Sequence, residues 1–323
     1  MTKALFYSSF EAVHLKVISM ELSKFNIIEE NDFPSAWYRA VSFVLAHGVA
    51  MVFGSSNEKK RAWNSIQIII LYGNAISQIL RGEIHPQFPF GDKKGEFYRR
   101  EFDRNWFLSE YLKFPEAKKF TYLYIERLIR YIIPSRSFKD LILKVIFKKD
   151  SFIDQLAVLR EQLKEQVKSG ITSNRSQVIT WQPGRDLFSA SPPCFQSMQI
   201  IYLGNNEVEI HIKWRSRDLF TAWMINLVGL IGMIQREVIG PCGCTIVRIV
   251  DCNVSLHIYE GDLDQAKRVK PSVKNPQYMF RAKPRNVFYE GMQPLFYFLF
   301  SLYNVLNIGE IKISGIFCYE IKR

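Results

Sequence analysis

Cysteine is scarce in this sequence, and its spacing argues against two classes of protein. The chain has five cysteines, an odd number, without the regular spacing of a disulfide framework. Small secreted domains instead carry many paired cysteines. Cys242 and Cys244 are too close together for a usual zinc pair, and no other His or Cys pair has zinc-finger spacing. We therefore expect a reducing compartment and no metal site.

Uninterrupted apolar runs of membrane-spanning length are also lacking. A helix needs about 20 apolar residues to cross a bilayer. The longest candidates, 36–53, 220–234 and 292–306, are too short or are interrupted by polar residues. The N-terminus does not show the basic and then apolar order of a signal peptide. The sequence therefore predicts buried helices in a cytoplasmic protein that does not enter a membrane.

Acidic residues are outnumbered by basic ones, 31 against 43, which gives a net charge of +12. This excess favours an anionic partner such as a nucleotide phosphate or a nucleic acid, although a solvated basic surface explains it equally well. Apolar residues make up 48% of the chain, as in an ordinary globular protein. The irregular order of helical and strand patterns predicts an α+β fold. We expect a weakly patterned N-terminal extension at 1–31 and one domain at 32–323.

Local patterns predict several individual elements. Asp32, followed closely by a proline, is a typical helix start, and apolar residues continue at helical spacing from Trp37 to Val52. Residues 54–61 are interpreted as a polar turn whose basic run is either solvated or bound to phosphate. Residues 245–259 form one long β-type run, and residues 153–167 are typical of a surface helix.

The stretch from Ser191 to Asn226 brings a cysteine, a hairpin and basic residues close together in sequence. Cys194 follows two prolines, which stiffen its turn. Two β-type runs joined by a Gly-Asn-Asn turn then lead to Arg215 and Arg217, and positive charge near a thiol favours the reactive thiolate. From these features alone, a nucleophile and a small buried side chain remain equal alternatives for Cys194.

Further polar residues in this region allow two interpretations each. Arg215 lies three residues before Asp218 at a strand-to-helix junction, which suits either a bound phosphate or an internal ion pair. Asn226 lies in an apolar run, where its amide is either satisfied in the core or able to recognise the edge of a pyrimidine. His257 and Tyr259 are two residues apart on a strand and share a face, where they either hold a sugar hydroxyl or pack.

As an ordered set, these residues resemble the thymidylate synthase family, including its archaeal and nucleotide-hydroxymethylase branches. The resemblance covers about residues 177–266, with an upstream match at 120–128. It implies a thymidylate synthase-like fold, in which helices cover one face of a large mixed β-sheet, and a homodimer whose sheets pack back to back. Its motifs are Pro192-Pro193-Cys194, Gln199, Arg215-Ser216-x-Asp218, Asn226, His257-x-Tyr259 and the tyrosine segment around Tyr124.

The resemblance implies an enzyme that methylates dUMP reductively to dTMP, with 5,10-methylenetetrahydrofolate as co-substrate. Cys194 would add to C6 of the pyrimidine, Tyr124 would help to move the C5 proton, and Asp218 would face the folate pterin. Glu101 is our assignment for the catalytic glutamate, although Glu96 is an alternative. The remaining residues would bind the nucleotide. Its phosphate would be bound by Arg61, Arg215 and Ser216, together with Arg175 of the partner chain. Its base would be bound by Gln199 and Asn226, and its sugar by His257 and Tyr259.

Several positions depart from the family pattern and leave alternatives open. Phe195 follows the cysteine where bacterial enzymes carry histidine, and Ser176 stands in place of a second phosphate-binding arginine. One alternative is a 5-hydroxymethylase acting on dUMP, dCMP or CMP, which adds water in place of hydride. The other, suggested by the net charge, is a non-catalytic nucleotide- or RNA-binding protein on the same fold.

Overall fold

Two β-sheets and a short hairpin organise the part of the chain that the computed structural model describes. The described residues are 26–53, 58–63, 66–89, 100–113, 122–132 and 152–271. Their strands are β1 (Asn26–Glu30), β2 (Val49–Phe53), β3 (Glu58–Trp63), β4 (Gln67–Tyr72), β5 (Tyr131–Ile132), β6 (Phe152–Ile153), β7 (Gln177–Ile179), β8 (Phe195–Gly204), β9 (Glu207–Trp214), β10 (Arg217–Asp218), β11 (Thr245–Asn253) and β12 (Leu256–Tyr259).

The main sheet has six strands in the order β1-β4-β11-β9-β8-β7. It is mixed, because β1 runs parallel to β4 and β9 parallel to β11, whereas the other neighbours are antiparallel. The second sheet has the order β10-β12-β3-β2, and β5 pairs with β6. A mixed sheet combined with helices makes this an α+β fold, as the sequence predicts.

Helices supply the second layer. They are α1 (Phe33–His47), α2 (Asn74–Arg81), α3 (Arg104–Trp106, continued as a π-helix over Phe107–Tyr111), α4 (Tyr124–Ile129), α5 (Gln155–Ser169), α6 (Pro183–Asp186), α7 (Trp223–Ile234, continued as a π-helix over Gln235–Ile239) and α8 (Leu263–Ala266). Short 3₁₀ turns at Gly240–Cys242 and Glu260–Asp262 complete the described elements. No helix within these residues combines the length and apolarity needed to span a bilayer.

One face of the main sheet forms the core together with α7. Val208, Ile210 and Ile212 alternate along β9 with more polar neighbours, so every second side chain points into this core. Helix α7 is apolar around almost its whole circumference, which is typical of a helix buried on all sides. Its residues and the inward-facing residues of the sheet belong to one cluster of buried side chains.

The start of α1 follows the sequence prediction, but its end does not. Asp32 accepts a hydrogen bond from the Ser35 N–H at 3.0 Å and caps the helix. The predicted helix to Val52 is wrong beyond His47, because Val49–Phe53 forms β2. Gly48 has extended backbone geometry and its N–H bonds to the Val44 carbonyl, so the chain leaves the helix there.

Two other strand predictions need correction. The run 245–259 is not one strand, because Asn253 ends β11 in the main sheet and Leu256 begins β12 in the second sheet. The basic run predicted as a turn lies instead on β3, which pairs with both β2 and β12. Pairing within the second sheet therefore places Lys60 opposite Tyr259, a neighbour that is distant in sequence.

Candidate active site

The turn that carries Cys194 is held by Arg215. The guanidinium of Arg215 donates from Nε to the Pro193 carbonyl at 3.0 Å and from Nη2 to the Pro192 carbonyl at 2.6 Å. Its backbone N–H also donates to the Cys194 carbonyl at 3.0 Å. The β8–β9 hairpin brings these residues together, because Phe195 at one end pairs with Trp214 at the other. Arg215 does not pair with Asp218, so the internal ion pair considered above is not formed.

Burial raises the pKa of the Cys194 thiol above its ordinary value. The positive charges of Arg215, Lys60 and Arg217 act in the opposite direction, and the negative charge of Glu101 adds to the rise. The arginine therefore favours the thiolate as predicted, but desolvation outweighs it in the free protein. In the free protein the Cys194 thiol is therefore largely protonated at neutral pH, and its surroundings must change before the thiolate is favoured.

Two tyrosines lie beside the thiol. The Tyr124 ring meets Phe195 and Trp214 edge-on at 5.8 and 5.9 Å between centroids. Its hydroxyl lies 3.4 Å from that of Tyr122, and both phenols lie near enough to the Cys194 thiol to interact with it electrostatically. Burial raises the pKa of Tyr122 to about 12, and it raises the pKa of Tyr124 well above its ordinary value. Sequence reasoning missed Tyr122, although the Tyr-x-Tyr spacing offered the signal.

Glu101 acts electrostatically on the thiol and on both phenols, so its carboxyl group lies near them. Burial raises the pKa of Glu101 to about 8. The backbone at Glu101 is attached to α4, because the Ile125 N–H donates a hydrogen bond to the Glu101 carbonyl at 2.9 Å. At neutral pH this carboxyl group is mostly protonated and is a hydrogen-bond donor.

Arg217 is a buried residue of this region that sequence reasoning left without a role of its own. Its Nη1 donates to both carboxylate oxygens of Asp251, at 2.8 and 2.9 Å, and its Nη2 donates to the Trp223 carbonyl at 3.1 Å. The guanidinium also lies 3.9 Å from the centroid of the Trp214 ring. These contacts connect β10, β11 and α7 directly behind the Cys194 turn.

Asp218 and Asn226 lie around the entry to α7. The Asp218 carboxylate accepts hydrogen bonds from the Phe220 and Thr221 N–H groups at 3.0 Å each, and from the Thr221 hydroxyl. Asn226 is 6% exposed, and its Oδ1 has no hydrogen-bond partner in the structure as described. A buried acceptor without a donor is costly, about 1–3 kcal/mol, so Asn226 is suited to receive a donor from a ligand.

The second sheet brings His257, Tyr259 and Lys60 together. The two rings meet edge-on at 5.1 Å, so they share a face as predicted. Lys60 Nζ lies 4.4 Å from the centroid of the Tyr259 ring. Burial, reinforced by the charge of Lys60, lowers the pKa of His257 to about 3 and keeps its ring neutral. Because Asp218 pairs with His257 between β10 and β12, this sheet adjoins the entry to α7.

The remaining predicted residues lie elsewhere or are only partly described. Gln199 is on the opposite face of the main sheet, paired with His211, and its side chain donates to the Asn174 carbonyl at 2.9 Å. The structure does not bring it to Cys194, because alternate side chains of β8 point to opposite faces of the sheet and Gln199 points away from the core. Arg175 is exposed on the turn before β7, and Ser216 is half-buried next to Arg215. Arg61 lies on β3, but its side chain is outside the described part of the structure.

A cavity of about 840 Å³ lies apart from these residues, between α2, α3 and α7. Arg81, Arg100, Trp106 and Arg236 line it, whereas Cys194 does not. In the described ranges, no three His, Cys, Asp or Glu side chains are grouped as metal ligands would be. The arrangement around Cys194 is therefore that of a thiol supported by cations, phenols and a protonated carboxyl group.

Comparison with proteins of known sequence places this arrangement in context. The chain is 28% identical over 149 residues to a protein of Methanopyrus kandleri named "Putative thymidylate synthase"; the match covers 46% of this chain and 60% of that protein. A protein of the same name from Methanosarcina acetivorans is 23% identical over 247 residues, which cover 75% of this chain and 94% of that protein.

A bacterial relative shows the same resemblance. The "Thymidylate synthase" of Listeria monocytogenes is 28% identical over 141 residues, 42% of each protein. The chain thus spans three fifths of the Methanopyrus relative, less than half of the Listeria relative and nearly all of the Methanosarcina relative.

The family model described as thymidylate synthase matches residues 112–293, which is 182 of the 323 residues. The matched region includes Tyr122, Cys194, Arg215 and Asn226, whereas Lys60 and Glu101 lie before it. Since the match extends over more than half of the sequence, the chain belongs to the thymidylate synthase family.

Proposed function

We propose that the protein is a thymidylate synthase that converts dUMP to dTMP, with 5,10-methylenetetrahydrofolate as co-substrate. The observation that carries the proposal is the Cys194 turn, where Arg215 holds the backbone of the thiol-bearing segment at 2.6 and 3.0 Å. Its guanidinium is at the same time a cation near the sulfur. A thiol that can become a nucleophile and a guanidinium that can bind an anion are thus held together at the Cys194 turn.

The residues around the thiol suit covalent catalysis on a pyrimidine. The Cys194 sulfur would bond to C6, which moves the C5=C6 electron pair onto C5 and the C4 oxygen. Glu101, protonated at neutral pH, would donate a hydrogen bond toward the developing oxyanion. After C5 has gained the one-carbon unit, the phenols of Tyr122 and Tyr124 would help to remove the C5 proton. Loss of this proton would release the folate nitrogen from the one-carbon unit, and addition of the hydride to the resulting exocyclic methylene would restore the C5=C6 bond and expel the cysteine sulfur.

One feature supports uracil as the base. The orphaned Oδ1 of Asn226 is an acceptor, and uracil N3 carries a hydrogen that it can bind. Neutral cytosine has no hydrogen at N3, so only its exocyclic amino group could donate to this acceptor. Arg215 and Lys60 supply positive charge for the phosphate, and Lys60 therefore joins the predicted phosphate ligands.

Folate would supply the one-carbon unit and, in the methylating reaction, the hydride. The described residues offer Asp218 as its polar contact. A carboxylate has about four acceptor positions, and the Asp218 carboxylate uses three of them for Phe220 and Thr221. One position remains for a donor on the pterin ring, so the site is compatible with such a ligand.

The outer face of the main sheet supports a homodimer. Ile68 and Ile70 of β4 lie on this face with Ile201 and Leu203 of β8, and Leu203 is 49% exposed. A broad face of aliphatic side chains on a monomer marks an interaction surface. A second copy packed against it would place the exposed Arg175 at the edge of the interface, where it could reach the phosphate of the other chain.

A covalent-adduct experiment tests the proposal. The wild-type protein is incubated with 5-fluoro-dUMP and methylenetetrahydrofolate, and we expect an intact-mass increase equal to both molecules, absent in Cys194→Ser. With dUMP, we expect dihydrofolate absorbance and a product heavier by one methylene. A product heavier by a hydroxymethyl group without dihydrofolate would establish the hydroxymethylase instead. An unmodified protein that binds polynucleotide with a steep salt dependence would favour the non-catalytic alternative.

A further inference from the structure

We propose that Gln182 is a substrate-binding residue that contacts the pyrimidine nucleotide beside Cys194. This inference rests on the proposed function and adds to it a residue that neither the sequence motifs nor the family resemblance indicated. The observation behind it is a buried carboxamide, 7% exposed, whose Nε2 and Oε1 both lack a hydrogen-bond partner among the residues that the structure describes.

A carboxamide in this condition is unusual, because almost all buried polar groups in folded proteins are hydrogen-bonded. The backbone of Gln182 is fully used: its N–H donates to Asp186 Oδ2 at 2.6 Å, and its carbonyl accepts from the N–H groups of Arg185 and Asp186. The backbone is therefore held in place, while the two N–H donors and the acceptor of the buried side chain remain unused. Such a group is preorganised to bind a ligand.

The pairing of β7 with β8 brings Gln182 to the same end of the sheet as Cys194. Ile179 of β7 pairs with Ser197 of β8, and the Thr180 N–H continues the ladder to the Gln196 carbonyl at 3.0 Å. Gln182 follows Thr180 by two residues and Cys194 precedes Gln196 by two, so both residues leave the antiparallel pair at this end.

The direction of the side chain follows from the alternation along this segment. Val178 and Thr180 are buried, Gln177 and Ile179 are exposed, and Gln182 continues the buried set. Its carboxamide therefore lies on the face of the sheet that carries the core, which is also the face of the thiol.

A chain of contacts links Gln182 to the tyrosines. Asp186, which binds its backbone, forms a buried ion pair with Arg127 at 2.8 Å. The Arg127 guanidinium lies 6.0 Å from the centroid of the Tyr122 ring, and the Tyr122 hydroxyl lies near Cys194, with which it interacts electrostatically. The carboxamide is thus positioned by the elements that also position the nucleophile.

The chemistry of the group selects the ligand. A carboxamide presents one acceptor and two donors, which complement the alternating carbonyl and N–H groups of a pyrimidine ring. Asn226 offers a second orphaned carboxamide oxygen from α7. In the proposed reaction the ring lies against the Cys194 sulfur, so that two amides on different elements can bind different edges of one base.

Calorimetric titration of dUMP into Gln182→Leu and Gln182→Met tests the inference, with thermal unfolding measured in parallel. We expect the dUMP Kd to rise at least fivefold in both variants, while the melting temperature of the free protein stays the same or rises. The matched control is Gln78→Leu. Gln78 is similarly buried, but its side chain bonds to Asp32 Oδ1 and to the Phe33 N–H, both at 2.8 Å. This control should lower the melting temperature and leave the Kd unchanged.

The outcomes separate this inference from the proposed function. If the wild type binds dUMP and both Gln182 variants bind it equally well, the inference is overturned and the proposed function stands. If both variants lose as much thermal stability as Gln78→Leu, the amide has a structural role and the inference is likewise overturned. If the wild type binds none of dUMP, dCMP and CMP, the proposed function fails and the inference fails with it.

Discussion

The guanidinium of Arg217 donates to both carboxylate oxygens of Asp251, at 2.8 and 2.9 Å, in a region where both side chains are almost completely buried. Asp251 also accepts a hydrogen bond from the Trp223 indole N–H at 2.8 Å. One carboxylate of the main sheet therefore fixes both the short strand β10, which contains Asp218, and the first residue of α7. The position of the proposed substrate-binding residues depends on this buried pair.

Removing one member of this pair should destabilise the protein strongly. We expect Arg217→Met to lower the free energy of unfolding by about 3–5 kcal/mol, because Asp251 is left buried with its charge uncompensated. Urea unfolding measures the change. Arg81→Met is the matched control, since Arg81 pairs with Glu83 at the surface and should cost less than about 1 kcal/mol. Equal losses in the two variants would contradict this account.

The reactivity of Cys194 should depend on Lys60. The positive charge of Lys60 lowers the pKa of the Cys194 thiol. Arg215 also lowers this pKa, but in addition it donates hydrogen bonds to the carbonyls of Pro192 and Pro193. In Lys60→Met we expect the pH midpoint of alkylation by iodoacetamide to rise, with a rate loss of about tenfold for each unit of pKa change at a fixed pH below the midpoint. Lys168→Met, which removes an exposed lysine of α5, should leave the profile unchanged.

Glu101 should make the protein less stable as the pH rises. Its pKa is near 8 in the folded chain and near 4.5 when exposed, so the folded state holds the extra proton between these values. The favourable contribution is complete below pH 4.5 and is lost as the pH rises through 8. We expect Glu101→Gln to flatten the melting temperature between pH 5 and 9. A slope identical to that of the wild type, or to that of the exposed-site variant Glu110→Gln, would refute the assignment.

A charge on the outer face of the main sheet should separate the proposed dimer. Ile70 lies half-buried on β4 and points to this face. In sedimentation experiments, we expect Ile70→Asp to shift the protein from dimer to monomer, because a carboxylate buried in an interface without a partner is strongly unfavourable. Ile171→Asp is the control, since Ile171 is 69% exposed outside the sheet and should not alter the assembly. A wild-type monomer would contradict the dimer itself.

Much of the fold near Cys194 follows from local sequence. The Gly-Asn-Asn turn adopts positive φ at Gly204, Asn205 and Asn206, which these residue types tolerate, and the alternating pattern of β9 determines which side chains are buried. The turn length fixes the register, so that Arg215 returns to the Cys194 turn. For the same reason, the helix start at Asp32 could be predicted from its capping residue alone.

Other features could not be predicted because they depend on residues far apart in the chain. The separation of 245–259 into two strands in different sheets is determined by the partners on either side, β9 and β3, and not by the propensity of the run itself. Gln199 has the residue type and spacing expected of a base-binding residue, yet the alternation of side chains along β8 places it on the outer face of the main sheet. The pairing of Lys60 with Tyr259 likewise depends on the second sheet.

The sequence by itself predicted the family from its ordered motifs, and it determined that Arg215 returns to Cys194, because the hairpin between them has local geometry. Only the tertiary structure decided the electrostatic environment. Burial raises the pKa values of Cys194 and Glu101, and it leaves the carboxamide of Gln182 and the Oδ1 of Asn226 without partners. Desolvation and hydrogen-bond satisfaction depend on everything that surrounds a group in space, and that information exists only once the chain has folded.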